Sequence, residues 1–165
     1  MKEISPELEE KLKKVKLLAL DVDGVLTDGG VYIADNGKEF RRFDIKDGLG
    51  LKRVIAAGIE IAIISSGTCE SVLHRAIQLE ITEVHIGVAD KLDVLKGICF
   101  AKQISLNEVC YIGDDLPDLP VMKAVGIACS PADAVEEVQK ISDVIATAPG
   151  GKGAVRRVCN LILEA

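Results

Sequence analysis

Tryptophan is absent from this 165-residue sequence, and aromatic residues of all kinds make up only 3% of it. A core of any size must therefore be aliphatic, packed from Ile, Leu, Val and Ala. Positive charge is also scarce. Lys and Arg number 20 against 26 Asp and Glu, for a net charge of −6, which argues against a nucleic-acid surface. No apolar run approaches the ~20 residues of a membrane span. The opening MKEISPELEEKLKK is charged and amphipathic, without the apolar stretch and small-residue cleavage site of a signal peptide. Cysteines number five, scattered and without C-x-x-C spacing. That pattern speaks against a disulfide or zinc framework and for reduced, buried thiols in a cytoplasmic protein.

What is present is a globular composition, 48% hydrophobic and 28% charged, at a length that suits one domain over residues 1–165. Residues 5–14 read as a short helix with Ser5 as N-cap and Pro6 in first position. Residues 15–20 are a buried strand. Residues 31–43 read as a β-hairpin turned by Asp35-Asn36-Gly37. A helix opens at Asp47-Gly48 and stops near Gly58. Strands then alternate with helices. Strands fall at 59–64, 83–86, 109–112, 126–129 and 143–146; helices at 68–79, 90–101, 119–125, from 130 onward, and 153–163. This alternation predicts an α/β fold, a Rossmann-like, mostly parallel sheet with helices on both faces.

Ligands of such sheets bind beyond the carboxyl ends of the strands, so the residues that end the predicted strands mark the chemistry. The first strand runs out at Asp21-Val22-Asp23, two like charges one residue apart. Side chains at i and i+2 of a strand share a face. Their repulsion and desolvation call for a positive partner, commonly a divalent cation. The second strand ends at Ser65-Ser66-Gly67, a later one at Gly113-Asp114-Asp115, and Asp90-Lys91 opens a helix near the same rim. Three carboxylates, a hydroxyl and an ammonium suit phosphoryl transfer. One aspartate can attack phosphorus, and a carboxyl two residues on can protonate the leaving group. A hydroxyl and a lysine can hold the phosphoryl oxygens, with Mg²⁺ among the carboxylates.

DVDGVLT, the hydroxyl residue after an Ile-Ile strand, Asp-Lys and GDDLPDLPVM resemble motifs one to four of the haloacid dehalogenase (HAD) superfamily. FDIKDGLGLK, IGVADKLDVL and GGKGAVRRVCNLIL further resemble its capless phosphatases of 3-deoxy-D-manno-octulosonate 8-phosphate. The resemblance implies a HAD fold with the hairpin in place of a cap domain. Asp21 would be the nucleophile and Asp23 the general acid/base. Mg²⁺ would be held by the carboxylates of Asp21 and Asp114 and the main-chain carbonyl of Asp23. Ser65 would hold the phosphoryl group, and Lys91 would orient it and the nucleophile. It also implies a homotetramer built partly by the hairpin, with the glycine-rich segment Pro149–Arg156 of the C-terminal tail and helix (149–165) closing over a neighbour's site. The substrate would be an acidic sugar phosphate of lipopolysaccharide precursor synthesis, with no nucleic-acid or membrane partner.

One departure bears on that substrate. The family usually shows Thr-Gly-Arg after the second strand, and this chain has Ser65-Ser66-Gly67. Asp47, Ser66, Lys152 and Arg156 are the substrate-side candidates, Asp47 also reading as a plain helix N-cap. A sialic-acid-type nonulosonate 9-phosphate is the alternative substrate. Two further readings are a catalytically silent assembly subunit and a phospho-accepting receiver domain. The Asp-x-Asp at the first strand argues against the receiver. Pro149-Gly150-Gly151-Lys152-Gly153 lacks the G-x-x-x-x-G-K-[ST] pattern of a nucleotide-triphosphate loop.

Overall fold

The structure, a computed structural model, describes residues 5–165; residues 1–4, the start of the charged N-terminal stretch, lie outside it. Helix α1 (Pro6–Leu12) begins where the sequence places it: the Ser5 side chain accepts from the Leu8 N–H. Strand β1 (Leu17–Leu20) follows. The hairpin is shorter than predicted, β2 (Tyr32–Ile33) pairing antiparallel with β3 (Glu39–Phe40) as a separate two-stranded sheet. Then come α2 (Ile45–Ala56), β4 (Glu60–Ile64), α3 (Ser71–Leu79), β5 (Glu83–His85), α4 (Lys91–Lys102) and β6 (Val109–Ile112). The chain closes with α5 (Leu119–Met122), β7 (Ile127–Ser130), α6 (Glu136–Ile141), β8 (Val144–Ile145) and α7 (Ala154–Glu164).

The main sheet has six strands in the order β5-β4-β1-β6-β7-β8, every pairing parallel. Period-two alternation along β1 sends Leu18 and Leu20 to one face and Leu17 and Ala19 to the other, where two separate aliphatic clusters form. The first is covered by Leu51 and Val54 of α2, Val72 of α3 and Val158 of α7. The second is covered by Leu95 and Ile98 of α4, Val121 of α5 and Val138 of α6. Each fully buried Leu or Ile contributes about 1.5–3 kcal/mol, enough to hold a core that contains no Trp. All five cysteines are free and buried.

Two boundaries differ from the sequence reading. Helix α2 starts three residues early because Asp44, not Asp47, is its N-cap, accepting from the N–H groups of Lys46 and Asp47. Helix α6 starts at Glu136 instead of near 130. Ala134 N–H bonds back to Pro131 and the extended Val135 serves as cap, so the turn chemistry of 131–134 delays it.

The strand order decides where a site can form. From β1 the chain moves outward through β4 and β5, then returns to the other side of β1 with β6 and continues outward. The crevice between the carboxyl ends of β1 and β6 is thus the topological switch point, the preferred ligand site of open parallel sheets. Asp21 and Asp114 stand there, and the Asp21 N–H is bonded to the Ile112 carbonyl at 3.0 Å.

Candidate active site

The alternation that sorts the core also aims the first aspartate. Asp21 continues the Leu17–Ala19 face of β1, on the side where α4 begins, and the first residue of α4 is Lys91. The Lys91 Nζ lies 3.0 Å from Asp21 Oδ1 and 2.7 Å from Asp118 Oδ1. Lys91 and Asp21 are only 5% and 8% exposed. Burial pulls the Lys91 ammonium down, but the charges of Asp21 and Asp118 and their hydrogen bonds outweigh it and raise it above the ordinary value.

Asp114 lies in the same crevice. Its approach depends on Gly24, whose φ is +83° and whose Cβ, if it had one, would fall 2.0 Å from Asp114 Oδ2. A side chain at 24 would be strained by that backbone conformation and would displace the Asp114 carboxylate. Burial, then the nearby charges of Asp21 and Asp118, push the Asp114 carboxyl up to about 8. Burial and Asp118 push Asp21 up to about 6, against the pull of Lys91. Asp114 Oδ1 is buried with no hydrogen-bond partner among the described residues. One ammonium therefore serves three clustered carboxylates, and an acceptor atom is left over. The donor set is hard oxygen, which fits Mg²⁺.

Asp118 is the third carboxylate within 4.8 Å of the other two, but its bonding is already complete. Oδ1 accepts from Lys91 Nζ and from the Tyr111 hydroxyl at 2.8 Å; Oδ2 accepts from the N–H groups of Asp114 at 3.0 Å and Asp115 at 3.4 Å. It orients Lys91 and the Asp114 loop, and leaves Asp21 and Asp114 as the carboxylates free to bind an ion. Asp115 caps the 3-10 turn Leu116–Asp118.

Ser65 is buried at the end of β4, its Oγ accepting from the Gly67 N–H at 3.2 Å. Asp21, Asp23, Ser65, Ser66, Lys91 and Asp114 line one open cleft of about 150 Å³. Thr27, wholly buried, holds the loop after Asp23: its Oγ1 accepts from the Gly24 and Gly29 N–H groups and donates to the Val22 carbonyl.

Three substrate-side candidates are not brought to the cleft. The Asp47 carboxylate accepts the N–H groups of Gly153 and Arg156 at 3.2 and 2.8 Å, tying α2 to the start of α7. The Arg156 side chain bonds Asn160 and the Lys46 carbonyl. Lys152 is exposed in the glycine-rich turn. That turn packs on its own protomer's first loop: Gly151 N–H bonds the Val25 carbonyl, Gly150 N–H bonds Asp133, and Arg42 Nη1 bonds the Gly151 carbonyl. Of the four, only Ser66 lines the cleft.

The sequence reading missed Arg41. Its Nε donates to Asp23 Oδ1 at 2.7 Å, carrying a cation from the hairpin to the cleft's mouth. Nothing local signals it, because the contact depends on how the hairpin folds back across 18 residues.

Known proteins share this architecture. A family model described as haloacid dehalogenase-like hydrolase matches residues 74–156. A 3-deoxy-D-manno-octulosonate 8-phosphate phosphatase of Salmonella typhimurium is 38% identical over 162 residues, covering 98% of this chain and 86% of that protein. The structure of such a phosphatase from Moraxella catarrhalis, in complex with magnesium ion, phosphate ion and KDO, superimposes with a TM-score of 0.93 at 42% identity, covering 96% of this chain and 91% of that one. A cobalt-bound deoxy-D-mannose-octulosonate 8-phosphate phosphatase from Haemophilus influenzae gives a TM-score of 0.90 at 34% identity, covering 93% and 90%.

Proposed function

Since the chain belongs to the 3-deoxy-D-manno-octulosonate 8-phosphate phosphatase family of haloacid dehalogenase-like hydrolases, we infer that it hydrolyses that sugar phosphate to the free sugar acid and phosphate, with Mg²⁺ as cofactor. The observation that carries this reading is the crevice between β1 and β6. There Asp21, paired with the Lys91 ammonium, meets Asp114, whose buried Oδ1 has no partner among the described residues.

Asp21 is the nucleophile. Its free carboxylate oxygen attacks phosphorus, and the bond to the sugar oxygen breaks, leaving an aspartyl-phosphate. Asp23 gives its proton to the departing alkoxide. It then takes a proton from the water that attacks the aspartyl-phosphate, which restores Asp21 and releases phosphate. Ser65 Oγ and the Lys91 ammonium hold the phosphoryl oxygens, and Lys91 also keeps Asp21 aimed. Mg²⁺ would be held by the carboxylates of Asp21 and Asp114 and the main-chain carbonyl of Asp23, and would supply charge neutralisation at the phosphoryl group. Asp118 positions Lys91.

The same reading extends to assembly and compartment. Val31, Tyr32, Ile33, Phe40, Ile45 and Leu49 are exposed apolar residues on and beside the hairpin. A face of this kind suits contact with further copies, in keeping with a homotetramer. Five unpaired cysteines are in keeping with the cytoplasm. Phosphate release from the eight-carbon acid 8-phosphate and from a nonulosonate 9-phosphate, with and without Mg²⁺, tests the function. Release from the first only with Mg²⁺ is expected. Preference for the nine-carbon substrate would reassign it, and release from neither would refute the enzyme.

A further inference from the structure

The cleft has an electrostatic shortfall that the chemistry of phosphate transfer does not resolve. Among the described residues, Lys91 is the one cation that lines it, and Lys91 is committed to Asp21 and Asp118. A sugar-acid phosphate brings a second anionic group, its carboxylate, away from the reacting phosphorus. Something at the mouth must receive it, or the acidic walls would repel it.

Arg41 brings a cation to the mouth through its bond to Asp23, a residue that lines the cleft. Its side chain is only 6% exposed, and its Nε is bonded to Asp23 Oδ1 at 2.7 Å. Nη2 lies 3.2 Å from Glu39 Oε2, and Nη1 3.4 Å from the Phe40 carbonyl. The last two contacts belong to the hairpin itself, so the guanidinium keeps its place if Asp23 departs. On the other side of Asp23 stands Gly67: a Cβ there would lie 2.9 Å from Asp23 Oδ2. The Asp23 carboxylate thus occupies space that a side chain at 67 would claim, with Arg41 holding it there.

The pair has a consequence for catalysis. A general acid must face the leaving oxygen, and the Asp23 oxygen bonded to Arg41 is already engaged. Asp23 bonded to Arg41 is therefore in a resting arrangement. Resting on the proposed sugar-acid substrate, we propose that Arg41 is a specificity residue: it exchanges the Asp23 carboxylate for the carboxylate of the substrate. That exchange frees Asp23 for proton transfer. A planar guanidinium matches a carboxylate with two parallel N–H donors, so the incoming group can replace what Asp23 gives up. A phosphate ester without a carboxylate gains nothing from Arg41 and must separate the pair without compensation.

Purified full-length protein with Mg²⁺ supplies the test. The kcat/KM of wild type, Arg41→Ala and Arg41→Lys is measured on 3-deoxy-D-manno-octulosonate 8-phosphate and on p-nitrophenyl phosphate, which has no carboxylate. For Arg41→Ala we expect a loss of about 10- to 100-fold on the sugar acid, the range of a hydrogen-bonded charge contact, mostly in KM. On p-nitrophenyl phosphate the same variant should be faster than wild type, because that ester no longer has to separate Asp23 from Arg41. Arg41→Lys, which keeps the charge and loses the fork, should recover part of the sugar-acid rate. Equal losses on both esters, or no loss on either, would overturn the assignment while wild-type turnover of the sugar acid still upheld the proposed function. A wild type that cleaves p-nitrophenyl phosphate but not the sugar acid would overturn both.

Discussion

At the carboxyl rim of the sheet Asp21, Asp118 and Lys91 are buried, whereas on the hairpin Ile33 and Phe40 are 65% and 51% exposed. The two regions depart from the usual sorting of residues in opposite senses. The rim places charge where apolar side chains belong and retains it by cross-bonding: Lys91 to two carboxylates, Asp118 to four donors. The hairpin places apolar side chains in solvent, with the rings of Tyr32 and Phe40 stacked at 5.3 Å. A short charge at the rim asks for an ion. An unburied apolar face asks for another protein surface. The rim's defect is chemical and local; the hairpin's is one of uncovered apolar surface, which the proposed assembly would bury.

Replacing Asp21, the proposed nucleophile, should have the largest effect. Asp21→Asn should lower phosphate release by about 10⁴-fold or more while circular dichroism shows the fold retained; residual wild-type turnover would exclude Asp21 as nucleophile. Next in size is Lys91→Met, which leaves Asp21 and Asp118 buried without their cation. Breaking such a pair costs about 3–5 kcal/mol, read as a lower urea midpoint. An unchanged midpoint would show that the rim does not depend on this ammonium.

Metal removal is expected to give a pH signature. Asp21 at about 6 and Asp114 at about 8 stand above the carboxylate values of an unfolded chain. The folded protein therefore holds protons that the unfolded chain has released. The resulting stabilisation is full below about pH 4 and is lost as pH rises through the folded values near 6 and then 8. The metal-free protein should thus melt at progressively lower temperature from pH 5 to pH 8. Saturating Mg²⁺ should flatten that fall by compensating the ionised carboxylates and by binding only the folded form. Equal slopes with and without Mg²⁺ would count against a cation at this rim.

The smallest effect on a protomer belongs to the hairpin. Phe40→Asp should change the stability of an isolated protomer by no more than about 0.5 kcal/mol, as surface substitutions do, yet shift the sedimenting species toward smaller size. A species distribution unaltered by Phe40→Asp would remove the hairpin from the proposed assembly.

Much of the rim was legible in the sequence because it depends on short-range patterning. Alternation along β1 continues to Asp21, and the same logic brings Ser65 and Asp114 to strand ends and Lys91 to a helix start. Helix boundaries were less legible. Asp44 and Asp47 are both plausible caps, and only the backbone conformation chose Asp44. Arg41, Tyr111 and Asp47 were not legible in their roles. Arg41 meets Asp23 across 18 residues, Tyr111 bonds Asp118 through a hydroxyl otherwise sunk in the core, and Asp47 meets Arg156 across 109.

Residue order alone carried the parallel α/β scaffold, the aspartate pair at the end of β1 and the gathering of Asp21, Ser65, Lys91 and Asp114 at one rim. Those features follow from periodicity and from the rule that parallel strands end on a common edge. Packing settled the rest: Asp118 is saturated, Asp114 keeps an oxygen unpaired among the described residues, Asp47 serves α7 and Arg41 holds Asp23. Each is a matter of a few ångströms between segments distant in the chain. Such contacts are set by how helices and hairpin pack on the sheet, which residue order alone does not encode locally.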